Sequence, residues 1–239
     1  MKPAINLLVV VLGIFIGWGS WAIVESGPVK TWQTRHEAQG YIRTHSVRKL
    51  QIGAGGNDPP GWFNTDIKPS KGESYLDATK PFPLPAGSID YIFSEHVIEH
   101  LTYEDGLAML RESRRVLAPG GKVRVITPDL RKLVGLFQDS KSPESQRYID
   151  GKLAWHGWLQ TTVPEVIILN YELRGFDHQF VYDSRLLRNS LEQAGFVSIK
   201  EYSPGASDDP QLMNIEGRPH ATFAAVSEYE SMVLQAARP

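Results

Sequence analysis

The chain has 239 residues, enough for one α/β domain with a sizeable core. Its formal charge of −2 and sequence pI of about 6.4 run against nucleic-acid binding through a broadly basic surface. With no cysteine, disulfides, thiolate catalysis and Cys-ligated zinc are excluded.

The stretch Ile5 to Val24 carries no charged residue. As a helix it is long enough to cross a hydrocarbon core of ~30 Å. Trp18 and Trp21 fall near its C-terminal end, where indoles suit a membrane interface. Residues 1–24 are therefore expected to be a single-pass anchor. The alternative is a signal cut after Ser20-Trp-Ala22, with export of the rest. Lys30, Arg35, Arg43, Arg48 and Lys49 follow the span, and the positive-inside rule places that side in the cytoplasm. Residues 25–46 read as a basic, partly helical juxtamembrane linker, and 47–239 as the functional domain.

Leu50 and Ile52 start a strand that runs into Gly53-Ala54-Gly55-Gly56, a turn in which missing Cβ atoms allow a ligand close to the backbone. Phe63 to Ile67 form a second strand with Asp66 near its end. An acidic residue there can accept from two ribose hydroxyls. The dinucleotide fingerprint fails, because Asp58 occupies its last glycine position and Asp66 follows Gly53 by only 13 residues. No Gly-Lys-Ser/Thr follows, so a P-loop fails too. Pro59-Pro60-Gly61 leaves little room for a long helix between the two strands.

Strand and helix signals then alternate, as in a mostly parallel sheet covered on both faces. A short strand end lies at Tyr75 to Ala78, with Asp77. Ile89 to Phe93 form a strand ending in Ser94-Glu95-His96. A helix spans Tyr103 to Leu117, and Ala118-Pro-Gly-Gly121 reads as a helix stop and turn. Val123 to Thr127 are a strand, Ser184 to Ala194 an amphipathic helix, and Val197 to Tyr202 and Ser231 to Ala236 two closing strands. Leu130 to Gly175 stand as an insertion rich in Tyr148, Trp155, His156, Trp158, Asn170 and Tyr171.

Together, Ile52-Gly-Ala-Gly-Gly56, Asp66, Asp77, Ser94-Glu-His-Val-Ile-Glu-His-Leu101 and Arg114-Arg-Val-Leu-Ala-Pro-Gly-Gly121 resemble a class I S-adenosylmethionine-dependent methyltransferase, nearest the type 11 branch. The match runs over about residues 47 to 202. Phe176-Asp-His-Gln-Phe-Val-Tyr182-Asp183 resembles a segment of cell-envelope and glycan-cluster members. The resemblance implies a Rossmann-like seven-stranded sheet of order 3-2-1-4-5-7-6 with the last strand antiparallel. It places Gly53, Ala54 and Gly55 under the methionyl part of the cofactor S-adenosyl-L-methionine. Asp66 would meet the ribose, Asp77 and Ala78 the adenine, and Ser94 and Glu95 the neighbourhood of the activated methyl. His96 and His178 are the candidate bases, with Glu95 and Tyr182 orienting, and residues 130–175 would form an acceptor site or lid. The acceptor would be a small molecule, glycan or lipid-linked intermediate, with no nucleic-acid partner. A non-catalytic, membrane-tethered scaffold that keeps the cofactor site is the alternative.

His96-Val-Ile-Glu99-His100 also fits the H-x-x-E-H pattern of one zinc protease class. That pattern needs a helix, whereas His96 directly follows a strand, so no metal ligand set is expected. For Asp66 and Asp77 a turn or helix-cap role competes with cofactor contact.

Overall fold

In a computed structural model describing residues 27–138, 142–157, 161–217 and 221–239, the apolar runs become one seven-stranded sheet. Its strands are β1 (Lys49–Ile52), β2 (Phe63–Asp66), β3 (Ser74–Tyr75), β4 (Ile89–Glu95), β5 (Leu117–Pro128), β6 (Val197–Tyr202) and β7 (Ser231–Ala237). The order is β3-β2-β1-β4-β5-β7-β6. β7 pairs antiparallel with both neighbours, and the other pairings are parallel. This is the sheet the resemblance implied. The central strands are buried, with Leu50, Ile52, Ile89, Ile92, Val123, Val125 and Leu234 in one core. Buried on both faces, they read as apolar runs rather than as strict alternation.

The predicted anchor at residues 1–24 lies outside the described residues. Among the described residues, no helix is long and apolar enough to cross a membrane.

The segment read as a linker contributes to the domain. Its helix α1 (Gly27–Thr44) buries Thr34 and Ala38, and Ala38 belongs to the main core. Tyr41 and Ile42 pack against the same core, and polar bonds add to the attachment. The Thr34 hydroxyl donates to the Tyr75 carbonyl (2.7 Å), and the Ser74 hydroxyl to Glu37 Oε2 (2.6 Å). The Tyr41 hydroxyl donates to the Gly61 carbonyl and accepts from the Lys49 amide. A helix held by such bonds shows almost no apolar stripe, and so resembled a solvated linker.

Helix α2 (Tyr103–Val116) begins at Thr102, whose hydroxyl accepts from the Asp105 amide. The expected turn at Ala118 to Gly121 is instead a bulge within β5. Ile89 pairs with Leu117, and the register resumes at Tyr91 with Lys122. Gly120 has φ +76°, and a Cβ on Gly121 would lie 2.9 Å from the Ala118 carbonyl oxygen and 3.0 Å from that of Asp90. Both glycines are needed for the detour.

The insertion holds α3 (Leu130–Gly135), α4 (Pro143–His156) and α5 (Pro164–Arg174), followed by α6 (Ser184–Gln193). A further helix, α7 (Ala221–Glu230), leads into β7 and was not anticipated. A second apolar cluster joins Leu133, Leu136, Tyr148, Ile149 and Ile168 to Val181 and to Val226 of α7. The insertion thus packs as a cap on the carboxyl ends of the strands.

Candidate active site

The carboxyl ends of β1, β2 and β4 open into a cavity of about 900 Å³, walled on the far side by α4, α5 and the segment after α5. That volume is at the upper end of the ~300–1,000 Å³ usual for small-molecule sites, room enough for two small ligands side by side.

Gly53, Ala54, Gly55 and Gly56 form the near wall. Gly53, Gly55 and Gly56 all have positive φ. At Gly53 a Cβ would also overlap Val97 Cγ2, so glycine is required there for space as well as conformation. No helix separates β1 from β2, as the prolines required. The Ala54 amide instead donates to the Thr65 carbonyl (2.9 Å), which pins the loop to β2.

Asp66 lines the cavity and steadies the loop. Its Oδ2 accepts from the Gly55 amide (3.1 Å) and its Oδ1 from the Lys68 amide (2.8 Å). Glu73, which the sequence did not single out, does the same for the next residue. Its Oε1 accepts from the Gly56 amide (2.9 Å) and its Oε2 from the Ser70 amide (2.6 Å). Asp77 and Ala78 also line the cavity, and Asp77 Oδ1 caps its own turn through the Thr79 amide and hydroxyl.

At the end of β4 the alternation of side chains separates two predicted residues. Glu95 reaches the cavity and accepts from the Gly217 amide (3.2 Å). Ser94 points the other way, buried with its hydroxyl unpartnered, and does not line the cavity. Tyr182 is likewise buried outside it.

His96 follows with φ +51°, unusual for a non-glycine residue, and faces the cavity. Its Nδ1 lies 2.9 Å from Glu99 Oε1 and its Nε2 3.3 Å from the Ser231 hydroxyl. Glu99 is fully buried, and its Oε2 accepts from the Thr127 hydroxyl (2.9 Å). Burial opposes its ionisation, but the His96 hydrogen bond and charge hold the carboxyl below the usual carboxylate range. Ile98 to His100 form one turn of 3-10 helix. His96 and His100 therefore do not share a helical face, and the protease arrangement is absent.

His178 reaches the cavity from far along the chain. The Gln179 and Phe180 amides donate to the Glu99 carbonyl (2.8 and 3.1 Å), and Gln179 Nε2 donates to the His100 carbonyl (2.8 Å). Phe176 and Asp177 both adopt positive φ just before it. Such backbone costs ~1–3 kcal/mol per residue and persists where the surroundings impose it, often at functional sites. The rings of His100 and His178 meet edge to face at 4.8 Å. Burial, with His178 nearby, holds the His100 imidazole below its ordinary pKa, against the pull of Glu99.

The rear wall contains Lys152, whose Nζ lies 2.5 Å from Glu172 Oε1 and 2.7 Å from Glu230 Oε2, all three nearly inaccessible to solvent. The Tyr148 hydroxyl donates to Glu230 (2.9 Å). Burial and the neighbouring Glu230 raise the Glu172 pKa. Burial acts the same way on Glu230, but the Lys152 ammonium outweighs it and holds that carboxyl low. Trp155 and Phe176 stack at 5.6 Å with rings 12° apart and also line the cavity. Of the other predicted aromatics, Trp158 lies outside the described residues.

The strand order and the glycine loop beside Asp66 are those that the sequence resemblance implied for a class I S-adenosylmethionine-dependent methyltransferase. In agreement, residues 70–125 match the family model described as a methyltransferase domain of the type 11 group. No curated protein matches the chain. Among solved structures, a methyltransferase from Thermotoga maritima is 16% identical, with 87% of this chain and 90% of that one covered and a TM-score of 0.46. One from Mesorhizobium loti is 15% identical, with 87% and 98% covered and a TM-score of 0.46. Phosphoethanolamine N-methyltransferase 2 of Haemonchus contortus, in complex with S-adenosyl-L-methionine, is 14% identical with a TM-score of 0.39. There 87% of this chain and 53% of that one are covered. Residues 70–125 thus carry a methyltransferase-domain signature, and S-adenosylmethionine is the cofactor that the sequence resemblance implies for it.

Proposed function

We propose that the chain methylates a hydroxyl-bearing small molecule, glycan or lipid-linked intermediate at a membrane surface. The observation that carries this reading is the position of His96. It stands at the end of β4 between the glycine loop and the aromatic wall, with Nδ1 tied to the Glu99 carboxylate. The bound cofactor supplies an electrophilic methyl on sulfur. Gly53, Ala54 and Gly55 would bring backbone close to it, Asp66 would accept from its ribose hydroxyls, and Asp77 and Ala78 would border the adenine. Trp155 and Phe176 present a flat apolar face to which a sugar ring can stack. With Nδ1–H directed at Glu99, His96 Nε2, which meets the Ser231 hydroxyl at 3.3 Å, would exchange that partner for the acceptor's hydroxyl and take its proton, while Glu95 and His178 flank the same space. The cap over the strand ends would shield the reacting groups from bulk water, so that nucleophile and methyl meet in an oriented arrangement.

Residues 1–24 would anchor the chain, with the methyltransferase domain on the cytoplasmic side where the following basic residues favour it. Methyl-labelled cofactor incubated with the full chain and a membrane extract tests the reading. Label should enter a lipid or glycan fraction, and His96→Gln should remove it while cofactor binding persists. No label above an enzyme-free blank, or equal labelling by His96→Gln, would overturn the proposal. Fractionation should place the full chain with membranes and a chain lacking residues 1–24 in the supernatant.

A further inference from the structure

Glu99, His100 and His178 each offer one ligand atom, and these atoms lie within 4.8 Å of one another. We propose that these three residues bind a single divalent transition-metal cation, Zn²⁺ or a first-row neighbour, at the inner end of the cavity. His178 Nδ1 sits 2.6 Å from the Glu172 carbonyl oxygen. A carbonyl only accepts, so Nδ1 carries the proton and Nε2 keeps a lone pair for a metal. Such a second partner, fixing the tautomer of a histidine, is the usual outer shell of a metal ligand. Glu99 is held by His96 and by the Thr127 hydroxyl. Glu99 and His178 are thus held in place before any ion arrives, and the His100 ring meets His178 edge to face.

The strap that delivers His178 is built for this convergence. Gln179 and Phe180 hang from the Glu99 carbonyl, and the two residues before His178 hold a backbone conformation that side chains disfavour. Two imidazoles and one carboxylate with open positions suit Zn²⁺, Fe²⁺ or Co²⁺ and do not suit Mg²⁺ or Ca²⁺, which take oxygen ligands. Tetrahedral ligands about zinc stand roughly 3.4 Å apart, so a modest rotation of the rings closes the set. His100 and His178 border the cavity, so the open positions face the acceptor. A hydroxyl or carboxylate oxygen of the acceptor would complete the coordination there. In that arrangement His178 is a ligand, and proton acceptance falls to His96. This use of the metal rests on the acceptor reading above; the binding itself does not.

Full-length protein stripped with a chelator, loaded with Zn²⁺ and dialysed should hold about one zinc per chain by elemental analysis. His100→Ala and His178→Ala should each weaken zinc binding by about 100-fold or more, since even outer-shell changes cost 10–100-fold. His36→Ala, at an exposed site on α1, should bind as the wild type does. Titration of the same samples with S-adenosylhomocysteine reports folding and the cofactor site separately. Zinc-free wild type that still binds S-adenosylhomocysteine would overturn the metal site alone. So would a His100→Ala/His178→Ala variant that holds as much zinc as the wild type. Should that variant not fold, Co²⁺ added to wild type decides. Intense visible bands of a four- or five-coordinate ion support the site, and the pale hexaaqua spectrum refutes it.

Discussion

Replacing Gly53 by alanine probes the loop on which the cofactor site depends. At φ +71° an L-residue costs ~1–2 kcal/mol. The new Cβ also overlaps Val97 Cγ2, and forcing a packed neighbour aside costs ~1–3 kcal/mol more. The total is ~2–5 kcal/mol, divided between lost stability and a displaced loop. Val97 Cβ would stand 3.5 Å from the new atom, an ordinary contact, so Val97→Ala should relieve the overlap without touching the dihedral cost. The double variant is therefore expected to be less destabilised than the sum of the two singles, by ~1–3 kcal/mol. Urea unfolding of the four proteins gives this coupling. Titration with S-adenosylhomocysteine should show Gly53→Ala at least ~10-fold weaker, the equivalent of ~1.4 kcal/mol. A Gly53→Ala protein of wild-type stability and affinity, or strictly additive single effects, would refute the steric reasoning.

Lys152→Met removes the ammonium that Glu172 and Glu230 share, at a cost of ~3–5 kcal/mol, or a fall in Tm of roughly 6–20 °C by scanning calorimetry. Adding Glu172→Gln and Glu230→Gln to that variant should restore much of the loss. For Asp209, burial opposes ionisation, but the Lys122 hydrogen bond (2.8 Å) and the Gln211 amide hold its carboxyl below the usual range. Its contribution to stability is then present above the unfolded pKa of ~3.9 and is lost as pH falls through the lower folded value. Acid unfolding of Asp209→Asn should accordingly show a shallower loss of stability below about pH 4 than wild type.

Much of the fold was legible because its signals are local. Leu50 and Ile52 before a glycine cluster, Ile89 to Phe93 after a proline-rich loop, and Val123 to Thr127 after Pro119-Gly-Gly121 each declare a strand beside its turn. The loop residues and Asp66 were legible for the same reason. What escaped is held by partners distant in sequence. Glu73 joins the glycine loop from 17 residues away, and Lys152 meets Glu172 and Glu230 only through the packing of α4, α5 and α7. The position of Ser94 depends on the phase of the β4 pleat, which a one-residue offset reverses. Helix α1 hid because its apolar contact is short, Ala38 with Tyr41 and Ile42, and the hydroxyls of Thr34 and Tyr41 complete its attachment. His100 and His178 were visible singly, but not their meeting, which needs the strap tied to the Glu99 carbonyl.

The central claim, that the cavity between the glycine loop and the cap is the S-adenosylmethionine site, is tested most directly by calorimetric titration of wild type and Asp66→Ala with S-adenosylhomocysteine. A hydrogen bond to a charged group is worth ~1.5–3 kcal/mol, and Asp66 would make two while also holding the Gly55 and Lys68 amides. One site per chain is expected in wild type, with affinity lower by about 100-fold or more in Asp66→Ala. Equal affinity in the two proteins, or no binding by folded wild type, would contradict the account.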